Sequence, residues 1–124
     1  MVRSTTNPLR LLIVDDDPMI CRSLKAVAER CGFVAKCFSN VRHAYREVPQ
    51  DQFDLAVVDY DLGRVSGTQF SRYLEKYGKL TPVLLISNSG PIDASKWTAQ
   101  VVGSVGKLGG PTKIIGRAID LLKA

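Results

Sequence analysis

The chain predicts a doubly wound α/β fold, a five-stranded parallel sheet with helices on both faces. Three observations carry that expectation. Apolar runs alternate with helical patterns five times along the 124 residues. The run Leu55-Ala56-Val57-Val58 is continuous rather than alternating, as a central strand covered on both faces requires. Helix start and stop signals fall between the runs, first at Asp17-Pro18 and Gly32.

The first strand is read over about Leu9 to Val14. Asp17 then serves as N-cap and Pro18 as first helical residue, because proline has a preset φ and no N–H to waste there. Ile20, Leu24, Val27, Ala28 and Cys31 recur on one face, and Gly32 is the C-terminal stop. Phe33 to Phe38 forms a second strand, and Ser39-Asn40 caps a short helix bearing Val41, Ala44, Tyr45 and Val48. After the third strand, a turn over Asp61 to Gly67 leads into a helix carrying Phe70, Tyr73, Leu74 and Tyr77, ended by Gly78. Val83 to Ile86 is the fourth strand, and residues 92–100 are read as a weak fourth helix. A glycine-interrupted strand at Val101 to Val105 follows. Pro111 opens a last amphipathic helix with Ile114, Ile115, Ala118, Ile119 and Leu122 inward.

The expected organisation is a short tail, 1–8, and one domain, 9–124. An apolar fraction of 45% and a charged fraction of 23% describe a globular chain rather than a disordered one. No apolar run has bilayer-spanning length and no secretory h-region opens the chain, so the expected location is cytoplasmic, with no membrane partner. Cys21, Cys31 and Cys37 lack CxxC spacing, and with His43 as the one histidine a zinc cluster is poorly supplied. The cysteines read as small buried hydrophobes.

Net charge is +5, from 17 basic and 12 acidic residues. Five acids, Asp15, Asp16, Asp17, Asp59 and Asp61, crowd two short stretches, which leaves the remaining surface distinctly basic. No run of adjacent Lys/Arg and no interleaved aromatic motif appears, so a protein partner is expected and direct nucleic-acid binding is not.

In a parallel sheet the residues after each strand share one edge, where ligands bind. That edge collects Asp15 and Asp16, then Asp59, Ser87 and Lys107. Three carboxylates about 4 Å apart repel by several kcal/mol per pair at intermediate dielectric. Lys107 neutralises one charge, whereas a hard cation such as Mg²⁺ takes one or two carboxylates together with phosphate oxygens. The set therefore suits Mg²⁺ with an oxyanion beside it. A glycine-rich phosphate loop and a GxxxxGK[ST] pattern are both absent. Asp59-Tyr60-Asp61 has the DxD form of haloacid-dehalogenase-type phosphatases, but there the motif follows the first strand, and this chain is too short for the usual cap.

VDDDP, VVDYDLGRVSG, LLISNS and VGKLGGP, in this order and spacing, resemble the receiver domain of two-component response regulators, over about Leu9 to Lys123. The resemblance implies a CheY-like, flavodoxin-like (βα)5 sandwich with strand order 2-1-3-4-5. It implies that Asp59 accepts a phosphoryl group from a phosphohistidine of a sensor kinase or phosphotransfer protein. Asp15 and Asp16 would hold Mg²⁺ with Asp59 and the backbone carbonyl of Asp61. Ser87 would be the switch hydroxyl and Lys107 the phosphoryl-pairing lysine. On this reading the domain is no enzyme beyond catalysing its own phosphorylation and dephosphorylation, and it signals by contact with an effector protein. It stands alone or belongs to a longer regulator or hybrid kinase; no oligomeric state follows.

Asp17 is better explained as a helix cap than as a metal ligand. His43 reads as an exposed helix residue and Trp97 as a packing anchor. Four positions depart from the family pattern: Leu108 follows Lys107 where proline is usual, Ser104 replaces an aromatic switch residue, Asn88 replaces a small residue, and Gly63 stands where proline is common. A cis bond before Leu108 would cost about 2.5–4 kcal/mol, so a trans bond is expected. The alternative reading is a receiver-shaped scaffold that binds its partner without phosphorylation; a small Mg²⁺-dependent phosphatase is a third.

Overall fold

The computed structural model describes residues 7–77 and 80–123; most of the expected tail, the Gly78 stop and Ala124 lie outside them. Five parallel strands, β1 (Arg10–Val14), β2 (Val34–Phe38), β3 (Leu55–Asp59), β4 (Val83–Ser87) and β5 (Val101–Gly106), form one sheet in the order β2-β1-β3-β4-β5. The pairings place Val14 beside Val58 and Asp59 beside Ile86, so the ends of β1, β3 and β4 come level. The α-helices are α1 (Pro18–Arg30), α2 (Val41–Glu47), α3 (Gly67–Lys76) and α4 (Gly110–Lys123).

Successive strand residues face opposite sides of a sheet, and the core divides accordingly. Leu11, Ile13, Leu55, Val57, Leu84 and Ile86 face one layer with Leu24, Ala28, Ile114 and Ile115 of α1 and α4. Leu12, Val14, Ala56, Val58, Val83 and Leu85 face the other, with Ala44 of α2 and Phe70 and Leu74 of α3. Both sheet faces are thereby dry, which explains the continuous apolar runs.

The helix signals act as read. Asp17 Oδ1 accepts from the Met19 N–H at 2.9 Å, Asn40 caps α2, and Gly32 takes φ 98° after α1. Ser66 and Gln69 close a reciprocal capping box on α3. The last helix begins at Gly110, with Pro111 in its first turn.

The fourth helix expected over 92–100 does not form. The described residues contain four α-helices, and this crossover holds only a 3-10 turn, Ala94–Lys96, before Trp97 turns extended at ψ 147°. Polar side chains pin the segment in competition with helical bonding. The Ile92 N–H donates to Ser104 Oγ (2.7 Å), Trp97 Nε1 donates to the Ile92 carbonyl (2.9 Å), and Thr98 pairs its hydroxyl with Ser71 (2.7 Å). Trp97 packs on the α3 side of the core as anchor. Tyr77 departs from its helix's apolar face: it is half exposed and meets the Tyr73 ring in a tilted contact at 4.7 Å between centroids. No helix among the described residues is long and apolar enough to cross a membrane.

Candidate functional site

Because the strands are parallel, their carboxyl ends meet at one edge, and β1 and β3 lie side by side there although 44 residues separate Asp15 from Asp59. Asp15 is fully buried and Asp59 nearly so, while Asp16 is exposed. Ligand oxygens of all three lie within 4.8 Å of one another.

The triplet divides by partner. Asp15 Oδ1 accepts the Asp17 N–H at 2.9 Å, which aims Oδ2 into the site; Asp17 turns away to cap α1. Lys107, in a 3-10 turn (Lys107–Gly109) directly after β5, places Nζ 2.7 Å from Asp15 Oδ2 and 3.0 Å from Asp59 Oδ2. Asp15 Oδ2 is buried, and the Lys107 ammonium is the close partner it has there. It has lone pairs to spare for a cation. Burial pushes the Asp59 carboxyl up to about 6, with Asp15 adding to the rise and Lys107 opposing it. Burial works against the charge of Lys107, but its contacts with Asp15 and Asp59 outweigh that and raise its pKa.

Asp61 enters differently from the other acids. Its carboxylate turns to the Gly63 N–H (3.1 Å) and is not among the clustered oxygens. The local ladder runs through Gly67 N–H to Tyr60 C=O (2.7 Å) and Leu62 N–H to Val65 C=O (3.1 Å). That pattern leaves the Asp61 N–H and C=O outside the ladder, and the N–H donates to Asp59 Oδ1 at 3.1 Å. A ligand from Asp61 would therefore be its carbonyl. Gly67 allows this close return: a Cβ there would lie 2.5 Å from the Asp59 carbonyl oxygen.

Ser87 ends β4 and is buried; its Oγ accepts the Ser89 N–H at 3.1 Å, which leaves its own proton free to donate. A cleft of about 390 Å³ opens over Asp59 between the loops after β3 and β4, with Asp61, Arg64, Ser66, Ser87 and Asn88 among its walls. The sequence reading gave no role to Arg64 or Ser66; their signal was membership of the loop after β3. All peptide bonds described are trans, Lys107-Leu108 included, and Leu108 projects into solvent.

Three clustered carboxylates, two of them buried against one lysine, stand at the carboxyl edge of a parallel sheet in an arrangement that could hold a metal ion. Residues 11–113 match the family model of the response regulator receiver domain, and the chain belongs to that family. It is 30% identical over 86 residues to the response regulator protein PilR of Pseudomonas aeruginosa, covering 69% of this chain and 19% of that one. To the two-component response regulator PhoP of the same organism it is 28% identical over 95 residues, covering 77% and 40%. The chain thus spans about a fifth to two fifths of these relatives. Among solved structures it resembles a CheY-like receiver domain from Methanospirillum hungatei (TM-score 0.79, 20% identity, 94% of this chain and 95% of that one). It also resembles the response regulator TrrA from Thermotoga maritima, solved with Mg²⁺-BeF (TM-score 0.75, 23% identity, 91% and 98%). These likenesses show the fold, with strand order 2-1-3-4-5.

Proposed function

We propose that Asp59 accepts a phosphoryl group, with Mg²⁺ held at Asp15, Asp16, Asp59 and the Asp61 carbonyl, and that residues 9–124 act as the receiver unit of a two-component system. The observation that carries this is the clustering of Asp15, Asp16 and Asp59 oxygens within 4.8 Å, with Lys107 paired to Asp15 and Asp59. The donor set fits the ion: all oxygens, from three carboxylates clustered within 4.8 Å that share the single charge of Lys107 at two of them. Bound Mg²⁺ would supply charge neutralisation between the carboxylates and the incoming phosphoryl oxygens.

The chain's residues supply the rest. An Asp59 carboxylate oxygen attacks phosphorus in line as the phosphorus–nitrogen bond of a phosphohistidine breaks, and the imidazole leaves with the bonding pair. Lys107 gives up its contact with Asp59 to pair with a phosphoryl oxygen. The Ser87 hydroxyl, whose proton is free, donates to another. Phosphoryl loss to water reverses the change, so the domain acts on itself alone. The donor would be a sensor histidine kinase or a histidine phosphotransfer protein, and the readout a contact with an effector. The gathering of Asp15, Asp16, Asp59 and Lys107, with Ser87 beside Asp59 in the cleft, makes a phosphorylation-independent scaffold the less favoured reading.

Incubation with Mg²⁺ and acetyl phosphate, followed by intact-mass measurement, tests this. A single phosphate-sized adduct, dependent on Mg²⁺ and lost in Asp59→Ala, is expected. An unmodified wild type, or an adduct that persists in Asp59→Ala, overturns the proposal.

A further inference from the structure

We propose that Arg64 is the anion-recognition residue of the acceptor cleft, drawing in doubly charged small phosphodonors and steadying their phosphoryl oxygens over Asp59. This rests on the reading of Asp59 as acceptor.

The backbone that carries Arg64 is held rather than loose. Leu62 and Val65 are bonded N–H to C=O at 3.1 Å, Tyr60 and Gly67 at 2.7 Å, and Asp61 faces Ser66 between them. Gly63 and Arg64 are the two central residues of the resulting tight hairpin. Gly63 takes φ 85°, and its N–H is held by Asp61 Oδ1 at 3.1 Å. The tip forms part of the cleft wall, and Arg64, exposed to solvent, is one of the residues that line it.

Charge gives that placement its meaning. Asp59 and Asp61 line the cleft, and Asp15 and Asp16 cluster within 4.8 Å of Asp59, a set that repels an approaching dianion. Lys107 is not part of the cleft wall: its side chain is 7% exposed and its Nζ is engaged by Asp15 and Asp59. Arg64 is the one cation among the described residues of that wall. The nearest acid in its own hairpin, Asp61, is turned to Gly63, and the ion pairs found among the described residues do not include Arg64. A guanidinium matches phosphate geometry through paired N–H donors and stays charged at any working pH. A charge at a cleft mouth raises the local concentration of oppositely charged ligand.

The test compares wild type with Arg64→Gln and Arg64→Lys, both solvent-compatible at an exposed turn. Phosphorylation rates are followed by intact mass with acetyl phosphate, a dianion, and with phosphoramidate, which carries less net charge at neutral pH. Arg64→Gln should slow the acetyl phosphate reaction roughly three- to tenfold. It should affect phosphoramidate less, and lose its effect as salt is raised; Arg64→Lys should retain most of the rate. Binding of inorganic phosphate, read by ³¹P line width with Mg²⁺ present, should weaken in parallel in Arg64→Gln. Equal rates and equal phosphate binding in wild type and Arg64→Gln overturn the proposal. If wild type takes up no phosphoryl group but the phosphate-binding contrast persists, the acceptor reading falls and the role of Arg64 as anion ligand stands.

Discussion

Lys107 stands closer to Asp15 than to Asp59, with Nζ 2.7 Å from one carboxylate and 3.0 Å from the other, and one ammonium thus screens two buried acids. Removing it with Lys107→Met leaves Asp15 and Asp59 facing each other without compensation. Breaking a buried charge cluster in this way costs about 3 kcal/mol or more. Urea denaturation should show that loss without metal, and a larger stabilisation by Mg²⁺ than wild type gains, since a cation then does the work of the lysine. Equal Mg²⁺ effects in both proteins would refute this.

The raised pKa of Asp59 has a defined sign in stability. The ordinary value is 3.8 and the folded value about 6, so between those pH values the folded state holds more protons than the unfolded one. Stability contributed by this group therefore falls as pH rises from about 4 to 6 and stays reduced above that. Asp59→Asn should flatten this part of the metal-free profile and stabilise the protein at pH 7. Two pKa units set a ceiling of about 3 kcal/mol; loss of the Lys107 contact brings the expected gain nearer 1 kcal/mol. Melting temperatures across pH in Asp59→Asn and wild type decide it, and a steeper profile in the variant would contradict the assignment.

Asp16 and Asp17 are neighbours with separable roles. Asp16→Ala should abolish the Mg²⁺-induced rise in melting temperature and leave metal-free stability within about 0.5 kcal/mol, because the side chain is exposed. Asp17→Ala should cost about 1 kcal/mol through the lost cap on the Met19 N–H, and Asp17→Asn only a few tenths. Loss of Mg²⁺ response in Asp17→Asn would place the metal ligand in the wrong residue.

Ser104 anchors the non-helical crossover between β4 and β5 by accepting the Ile92 N–H. Ser104→Ala should cost about 1 kcal/mol. It should also raise amide exchange across 92–100 before any other crossover, whereas Ser104→Thr, which keeps the hydroxyl, should preserve protection. Uniform exchange in Ser104→Ala would show that packing of Trp97 alone holds the segment.

Local rules were enough for much of the chain. Binary pattern located all five strands, and cap chemistry at Asp17, Asn40 and Gly32 set helix ends, because both act over a few neighbouring residues. Parallel topology then dictated that Asp15, Asp16, Asp59, Ser87 and Lys107 share an edge, and the structure brings them there. The failure at 92–100 has the opposite origin. Those residues have helix-compatible spacing, but Ser104 and Ser71, outside the segment, hold Ile92 and Thr98 by hydrogen bonds that the spacing within it does not reveal. The same holds for Asp61, whose carboxylate accepts the Gly63 N–H while its backbone stays outside the hairpin ladder, and for Arg64, placed at the cleft by a hairpin closed across Tyr60 and Gly67. Residue type and spacing determined which groups reach the edge. Tertiary packing alone decided which carboxylate oxygens come together at that edge, how Lys107 divides between Asp15 and Asp59, and what lines the cleft, because those depend on distances between segments far apart in the chain.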